Sequence, residues 1–247
     1  MILKEADGVT TISRFTEGLH ASFGYRKPAL LVHPAVDTQR YQPGPGRGVL
    51  QRFGIPPGLT LLTVGRLMER KGHDRVIATM PRLLERFTTL QYAIAGVGPY
   101  QATLRNKVDA LGLQGRVHFL GRVDDDNLPA LFQESTVFVH PSIVTSDGDV
   151  EGFGIVFLEA AACAIPIVGG NTGGIPDSVH DGVNGYLIGT DDELFERLDD
   201  LLSAPDLRRQ MGEEGRKWAC AFDWGEAAQK VWDYSLERIP VSRNGSQ

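Results

Sequence analysis

From Thr60 onward, short apolar runs alternate with longer stretches in which apolar positions repeat with helical spacing. The short runs are typical of buried strands, and the longer stretches of helices that bury one face. The pattern predicts strands near residues 60–65, 90–96, 116–120, 136–140, 165–169 and 185–188, and helices near 73–87, 99–111, 127–134, 154–163, 191–203, 205–220 and 225–238. This alternation indicates an α/β fold with a doubly wound, Rossmann-like parallel sheet and helices on both faces.

The residues before Thr60 show a weaker pattern. A short β segment is predicted over 6–13, an amphipathic helix over 15–23 and a strand over 30–34. A proline- and glycine-rich connection follows at 42–46 and separates these elements from the regular alternation.

Capping residues mark the starts of two C-terminal helices, and an apolar stripe marks one face of the last helix. Thr190 and Glu193 form a capping box, and Asp223 with Glu226 is its Asp version. In an isolated domain, the stripe of the final helix would most simply pack on the domain's own core. Its members are Ala228, Val231, Trp232 and Ser235.

Composition restricts the classes of function. The 247 residues suffice for one large α/β domain, and the 42% hydrophobic content supports a well-filled core. The net charge of −6 indicates no general affinity for nucleic acid, so phosphate binding would require a local site. No apolar run is long enough to span a membrane, and the first residues lack a signal-peptide pattern. Cys163 and Cys220 are far apart and are expected to be reduced thiols of a cytoplasmic protein.

Two glutamates are the most informative candidates for chemistry. Glu151 is followed by a Gly-Phe-Gly turn that opens a predicted helix, and Glu159 lies eight residues further along the chain. With helical rise throughout, about 12 Å would separate them along the axis, close to the hexose-to-ribose reach of a nucleotide sugar. The free N–H groups of the helix N-terminus between them suit a phosphate.

Two cations follow the first strand of the regular alternation. Arg66 and Lys71 come directly after the predicted strand 60–65. Because ligands of open parallel sheets bind beyond the carboxyl ends of the strands, both cations could neutralise a diphosphate there. Each of these four charged residues alone would usually be a solvated surface group. Their combination, in order and in matching strand-to-helix contexts, favours a functional site.

These motifs resemble the retaining family-4 glycosyltransferases of GT-B fold, over nearly the whole chain from about Ala6 to Arg238. The resemblance rests on Gly65-Arg66 with Lys71-Gly72, on Glu151-Gly152-Phe153-Gly154 with Glu159, and on Gly173-Gly174-Ile175-Pro176-Asp177. It implies a nucleotide diphosphate sugar as the donor, no cofactor and no metal.

The resemblance also implies a role for each site residue. Arg66 and Lys71 would hold the donor diphosphate, Glu151 the transferred sugar and Glu159 the ribose hydroxyls. The Gly152–Ile155 segment would face the distal phosphate and the sugar, through the amides of Phe153, Gly154 and Ile155. Arg122-Val123 falls where such enzymes touch the nucleobase.

The chain departs from this family in extent. A complete enzyme of this kind has two domains, and the first supplies a glycine-rich loop, a histidine and the acceptor pocket. Residues 1–27 resemble only the last strand and helix of that domain, residues 28–240 the donor-binding domain, and 241–247 a disordered tail. The missing domain, or a partner chain, is therefore expected, and any peripheral membrane contact is expected only through it. By the same resemblance the final helix crosses back toward that other domain, so part of its apolar stripe could lack a partner in this chain.

The interpretation is thus the donor-binding half of a hexose-transferring glycosyltransferase, with a glycan, lipid or small molecule as acceptor. This chain alone is expected to be inactive. A non-catalytic nucleotide-sugar-binding subunit that depends on a separate acceptor-domain chain is the alternative. A glycan phosphorylase or a sugar-nucleotide epimerase sharing the fold is a further rival, but the phosphorylase would need a pyridoxal-phosphate lysine in a far longer chain. The donor base, donor sugar and acceptor stay open.

Several other features have simpler explanations. The Asp-x-Asp patterns at 147–149 and 124–126 are expected to be hydrated surface acids rather than a metal site. His140 is expected to be packed rather than a base, and the glycines at 96 and 98 to let a strand turn closely past the ligand. Ala164 stands where a glycine commonly ends the helix of this family, and its left-handed conformation would cost about 1 kcal/mol.

Overall fold

The computed structural model describes residues 5–238. The tail expected at 241–247 lies outside the described residues. The strands in that range are β1 (Thr10–Thr11), β2 (Leu30–Leu31), β3 (Thr60–Val64), β4 (Gln91–Ala95), β5 (Val117–Gly121), β6 (Val137–His140), β7 (Ile167–Gly170) and β8 (Gly185–Ile188). The helices are α1 (Arg14–Leu19), α2 (Val49–Arg52), α3 (His73–Leu84), α4 (Gln101–Ala110), α5 (Leu128–Gln133), α6 (Ile155–Ala162), α7 (Asp191–Ser203), α8 (Pro205–Cys220) and α9 (Trp224–Leu236). Short 3₁₀ turns cover Glu69–Lys71, Asp125–Asn127 and Ile175–Asp177.

The main sheet has six parallel strands in the order β5-β4-β3-β6-β7-β8. From β3 the chain builds outward through β4 and β5, then returns to β6 and builds to the other side. The strand order therefore reverses between β3 and β6, and the crevice at their carboxyl ends is the place where such sheets bind ligands. The doubly wound Rossmann-like fold is confirmed.

The sheet is buried on both faces. Leu61 belongs to the apolar cluster on one face, and Leu62, its neighbour in β3, to the cluster on the other. Successive strand residues point to opposite faces, so a strand covered on both sides needs a continuous apolar run. Helices α3 and α7 pack together, as do α6 and α8. This burial explains why the central strands were predictable from short apolar runs.

The four-residue helix α2 has no counterpart among the predicted elements. Its N-cap, Gly48, provides no side-chain cap. Instead, the Glu134 carboxylate accepts the N–H groups of Arg47 (2.6 Å), Val49 (2.9 Å) and Leu50 (2.8 Å). Partial burial raises the pKa of Glu134, but these backbone hydrogen bonds lower it by more, and the net shift is downward. A helix capped from a remote part of the chain leaves no local sequence signal.

The helix α6 ends on a residue in an unfavourable conformation. Ala164 has a φ of 58°, in the left-handed region where a side chain crowds the backbone. The expected left-handed cap is therefore present, with alanine in place of glycine.

Replacing Ala164 with glycine is expected to stabilise the protein by about 1 kcal/mol, because glycine adopts this conformation without strain. Chemical denaturation of the wild type and Ala164→Gly measures the difference in the free energy of unfolding. Gly182, at φ 72° with open space around it, offers the reverse control: Gly182→Ala should destabilise by a similar amount. No gain for Ala164→Gly would contradict the strain assigned to this cap.

The N-cap signals are confirmed, and of the two expectations for the final helix, packing of its stripe on the domain's own core is wrong. Thr190 and Glu193 form the capping box of α7, and Asp223 caps α9 by accepting the N–H of Glu226 at 3.0 Å. The stripe of α9, however, does not pack on the core: Trp232 is 63% exposed and Val231 38%. The helix instead meets the N-terminal segment through Tyr234.

The N-terminal segment forms a small unit of its own with α9. Strand β1 pairs with β2 in parallel, across the boundary expected between residues 27 and 28. The Tyr234 hydroxyl accepts the N–H of Val9 and donates to the carbonyl of Pro28, each at 3.3 Å. The division into domains stays a prediction.

Candidate functional site

The candidate site lies at the carboxyl ends of β3 and β6, where the strand order reverses. The segment after β3 contains the 3₁₀ turn Glu69–Lys71, and the segment after β6 leads to α6. The two segments touch at Gly72, where an added Cβ would lie 2.2 Å from the carbonyl oxygen of Pro141. Only glycine permits this approach. It brings the basic segment, residues 66–72 after β3, against the acidic segment, residues 143–151 after β6.

Lys71 and Glu151 are brought together by this contact. The Lys71 ammonium donates a hydrogen bond to Glu151 Oε2, and Arg70 Nη1 donates to the same oxygen at 2.8 Å. Arg70 Nε lies 3.0 Å from Asp149 Oδ2. The side chains of Lys71, Glu151 and Arg70 are only 11%, 13% and 20% exposed, so two cations and two carboxylates form a half-buried cluster.

The charge state of Glu151 follows from this cluster. Burial by itself would raise the pKa of its carboxyl, since a charge is costly away from water. The charges and hydrogen bonds of Lys71 and Arg70 outweigh burial, and the pKa is lowered. Glu151 is therefore an anion at neutral pH, held by Lys71 and Arg70.

The turn after Glu151 is fixed by glycines from two motifs. Gly154, the N-cap of α6, has a φ of 84° and offers no side-chain cap, which leaves the first helical amides open to a ligand. The N–H of Gly174 donates to the Glu151 carbonyl at 2.9 Å, and a Cβ on Gly174 would lie 1.9 Å from the carbonyl oxygen of Gly152. The backbone at Gly173 and Gly174 thus packs directly against the backbone of Glu151 and Gly152, and side chains at these two positions would prevent that contact.

The helical distance expected between Glu151 and Glu159 is wrong. Because α6 begins at Ile155, only four of the eight steps have helical rise, about 6 Å in all. The remaining separation is set by the turn, in which Phe153 is buried and its carbonyl accepts the Ser178 hydroxyl at 3.0 Å. Ile155 is 41% exposed at the helix start.

Arg66 and Val123 lie on a separate part of the crevice. Both line a cavity of about 260 Å³ at the carboxyl ends of β3, β4 and β5, together with Arg122 and Leu128. Arg66 is exposed, whereas Val123 is 8% exposed. The cavity has an apolar lining with two arginines, a setting that suits a flat aromatic ring beside a negative charge.

Glu159, on α6, is only partly buried and lies near Tyr41 and Arg40. Burial raises the pKa of its carboxyl, and the Tyr41 hydroxyl and Arg40 oppose the rise only in part. Tyr41 is 7% exposed, and its own pKa is raised, first by burial and then by Glu159. Buried Tyr41 and partly buried Glu159 therefore lie side by side.

Two neutral histidines lie next to the site: His73 at the start of α3 and His140 at the end of β6. The rings of His73 and His140 stack with centroids 6.3 Å apart, and burial lowers the pKa of His73 to about 4 and holds that of His140 well below its ordinary value. His140 packs on Phe157 with centroids 5.4 Å apart. Neither nitrogen of His140 has a hydrogen-bond partner within residues 5–238. As expected, His140 is packed rather than placed to act as a base.

One expectation about a neighbouring residue is corrected. Asp149 is not a simple hydrated surface acid, because Arg70 binds it. The role expected for the glycines at 96 and 98 stays a prediction: a Cβ on Gly96 would lie 1.9 Å from the carbonyl oxygen of Gly65, and Gly96 lines the cavity beside Arg66. Arg70 and Tyr41 were not nominated from the sequence, because their partners lie far away along the chain.

Other candidate chemistries find no support in the described part of the chain. Residues 5–238 contain no group of three or more His, Cys, Asp or Glu side chains arranged to hold a metal ion. Cys163 is buried, Cys220 is exposed, and both are free thiols. Among the described helices, none has the length and apolar character required to cross a membrane.

Comparison with known proteins places this chain in a family. The sequence model of the Glycosyl transferases group 1 family matches residues 53–218, which is most of the chain. A GDP-mannose-dependent alpha-(1-6)-phosphatidylinositol monomannoside mannosyltransferase of Mycolicibacterium smegmatis is 39% identical over 222 residues. The match covers 87% of this chain and 58% of that relative. The chain belongs to the group 1 glycosyl transferases, and it spans 58% of that relative's length.

Solved structures support the same fold. Anabaena HepE in complex with UDP and glucose superposes with a TM-score of 0.84 at 22% identity, over 94% of this chain and 64% of that one. The C-terminal domain of the Francisella tularensis group 1 protein LpcC superposes with a TM-score of 0.67 at 26% identity, over 76% of this chain and 97% of that one. The fold is that of a GT-B glycosyltransferase.

Proposed function

We propose that this chain is the donor-binding half of a retaining glycosyltransferase that uses GDP-mannose. The carrying observation is the cluster of Lys71 and Glu151 at the switch point, next to the open N-terminus of α6. A cation, an anion and free amides together suit a diphosphate joined to a hydroxyl-rich sugar. The choice of mannose and guanosine is supported by the 39% identical relative, whose name states GDP-mannose dependence.

The proposed roles follow the geometry. Lys71 and Arg66 bind the diphosphate together with the amides of Phe153, Gly154 and Ile155. Glu151 accepts hydrogen bonds from the sugar hydroxyls. Glu159 accepts them from the ribose, and the cavity beside Val123 takes the base. The ligand would thus run from the acidic cluster, across the start of α6, to the cavity at the ends of β3 and β4.

The proposed catalytic contribution is electrostatic. Departure of the nucleoside diphosphate places negative charge on the phosphate oxygens, and fixed cations and helix amides stabilise charge that develops there. In the free protein the ammonium of Lys71 is paired with Glu151, so the donor diphosphate has to share or displace that partner. No protein nucleophile and no metal is part of the proposal.

The acceptor side is proposed to come from a second domain or a partner chain. The sugar acceptor is a glycan, a lipid or a small molecule. None of the residues assigned here belongs to an acceptor pocket, and the relative that supports the donor assignment is longer than this chain.

Substitutions of the two glutamates are expected to separate sugar from nucleoside recognition. Glu151→Gln should leave GDP affinity within about twofold and remove most of the preference for GDP-mannose, since the proposed roles give Glu151 a contact with the sugar and none with GDP. Glu159→Gln should weaken both ligands by about 1.5 kcal/mol, because a charged acceptor of ribose hydroxyls is lost. Titrations with GDP, 2′-deoxy-GDP and GDP-mannose measure both effects. Identical ligand profiles for the two variants would contradict these roles.

The pH dependence of stability provides the control for Glu159. Its folded-state pKa is raised, so the folded protein binds this proton more readily than the unfolded chain does. The stability from this group is present below the unfolded pKa and is lost as pH rises through the folded pKa. Glu159→Gln should therefore melt no lower than the wild type at pH 7, while it binds GDP more weakly. A lower melting temperature would instead assign the binding loss to damage of the fold.

A further inference from the structure

Arg70 has more contacts with the acidic segment than its neighbour Lys71. Its Nη1 donates to Glu151 Oε2 at 2.8 Å, and its Nε pairs with Asp149 Oδ2 at 3.0 Å. Its backbone carbonyl accepts the N–H of Ile143 at 2.8 Å. Arg70 therefore holds both ends of the segment from Ile143 to Glu151, through backbone at one end and side chain at the other.

The ion pair between Lys71 and Glu151 poses a problem for the proposed function. The same ammonium that bonds to Glu151 is assigned to the donor diphosphate, which carries about two negative charges. When the diphosphate engages Lys71, Glu151 shares or loses that partner in a site where only 13% of its side chain is exposed. A half-buried carboxylate without a cation is costly, and it would move or take up a proton.

Arg70 is suited to replace that partner. A guanidinium carries five donors in a rigid fork and can serve two carboxylates at once, which a single ammonium does less well. Its Nη1 and Nε are already directed at Glu151 and Asp149, so Arg70 would have to break two ion pairs to reach a phosphate. It is therefore placed to serve the carboxylates and not the diphosphate.

We infer that Arg70 is a positioning residue for sugar recognition: it keeps Glu151 in place and ionised when the donor diphosphate takes Lys71. This inference rests on the proposed function. Arg70 acts through Glu151, so its contribution is confined to the part of the affinity that the sugar adds to the nucleoside diphosphate.

The test compares each nucleoside diphosphate with its sugar conjugate in the wild type, Arg70→Met and Arg70→Lys. Three pairs are first tested on the wild type: GDP and GDP-mannose, UDP and UDP-glucose, and ADP and ADP-glucose. The pair that the wild type binds is then used for the variants. Arg70→Met is expected to change the affinity for the diphosphate less than twofold and to lower that for the sugar conjugate about tenfold. Arg70→Lys should restore part of this loss, because it returns one charge near Glu151.

A pH series gives a readout that a purely structural role would not produce. The sugar's added affinity requires ionised Glu151 and should fall on acidification. In Arg70→Met the midpoint of this fall should move to higher pH, since one of the two cations that lower the pKa of Glu151 is gone. Arg82→Met is the matched control: Arg82 pairs with Asp192 between α3 and α7, away from the site, and its loss should move neither affinity nor midpoint.

Each outcome decides between named alternatives. Equal weakening of both members of the pair in Arg70→Met would overturn the inference and make Arg70 a diphosphate ligand or a support of the fold. An unchanged pH midpoint would also overturn it. If Arg70→Met does not fold, Arg70→Lys provides the test. The loss of affinity in Arg70→Lys must then be confined to the sugar conjugate. Absence of binding of all three pairs by the wild type would instead contradict the proposed function.

Discussion

These 247 residues alone are expected to transfer no sugar at a useful rate, whereas joining them to an acceptor-binding domain should create activity that Arg66→Ala abolishes. Transfer in a two-domain cleft depends on holding the acceptor hydroxyl beside the anomeric carbon, and misplacement by 1 Å costs about 100-fold. Every side chain in the proposed site is assigned to the donor. The difference between the two forms should therefore span several orders of magnitude.

The measurement is a transfer assay with a panel of donors and acceptors, on the chain alone and with an acceptor domain supplied from the M. smegmatis relative. Arg82→Met is the control for the loss of an arginine outside the site. Turnover by the short chain at the rate of the joined form would contradict the assignment of the acceptor side to another domain. Activity of the joined form that survives Arg66→Ala would contradict the diphosphate role.

The second large effect is expected on diphosphate binding. Arg66→Ala and Lys71→Ala should each weaken GDP by about 2 kcal/mol, which is close to 30-fold, because each removes a charge-assisted contact. Calorimetric titration with GDP and with guanosine separates the causes. Guanosine lacks the phosphates, so its affinity should be the same in both variants and in the wild type.

Lys71→Ala carries a structural risk that Arg66→Ala does not. Lys71 is nearly buried against Glu151, whereas Arg66 is exposed. Thermal melts of both variants establish that the fold is retained, and Lys71→Met preserves the apolar stem as a control. A variant that is folded and binds GDP as tightly as the wild type would remove that residue from the proposed diphosphate site.

The regular part of the fold was predictable because its signals are local. Strands β3 and β6 are covered on both faces and appear as short apolar runs, and α7 begins at a capping box formed by Thr190 and Glu193. Helix α2 was not predictable, since its capping carboxylate is Glu134, 84 residues from Leu50. The stripe of α9 showed that an apolar face exists, but not what covers it.

The site was predictable only in part for the same reason. Lys71 and Glu151 were nominated from motif and position, and the fold brings them into contact across 80 residues of sequence. Arg70 and Asp149 carry no such motif: a surface arginine and a loop aspartate look alike wherever they occur, until the fold pairs them. The pair of Tyr41 and Glu159 likewise needed the tertiary structure, because burial sets the charge state of Glu159.

Calorimetric titration of the wild-type chain with GDP-mannose, GDP and the corresponding UDP and ADP compounds tests the central claim most directly. Binding is expected with a Kd of about 10 μM to 1 mM, weak because these residues are proposed to form only the donor side of the cleft. The guanosine compounds are expected to bind more tightly than the others. Absence of binding to every compound at millimolar concentration would contradict the claim that this chain holds a nucleotide-sugar site.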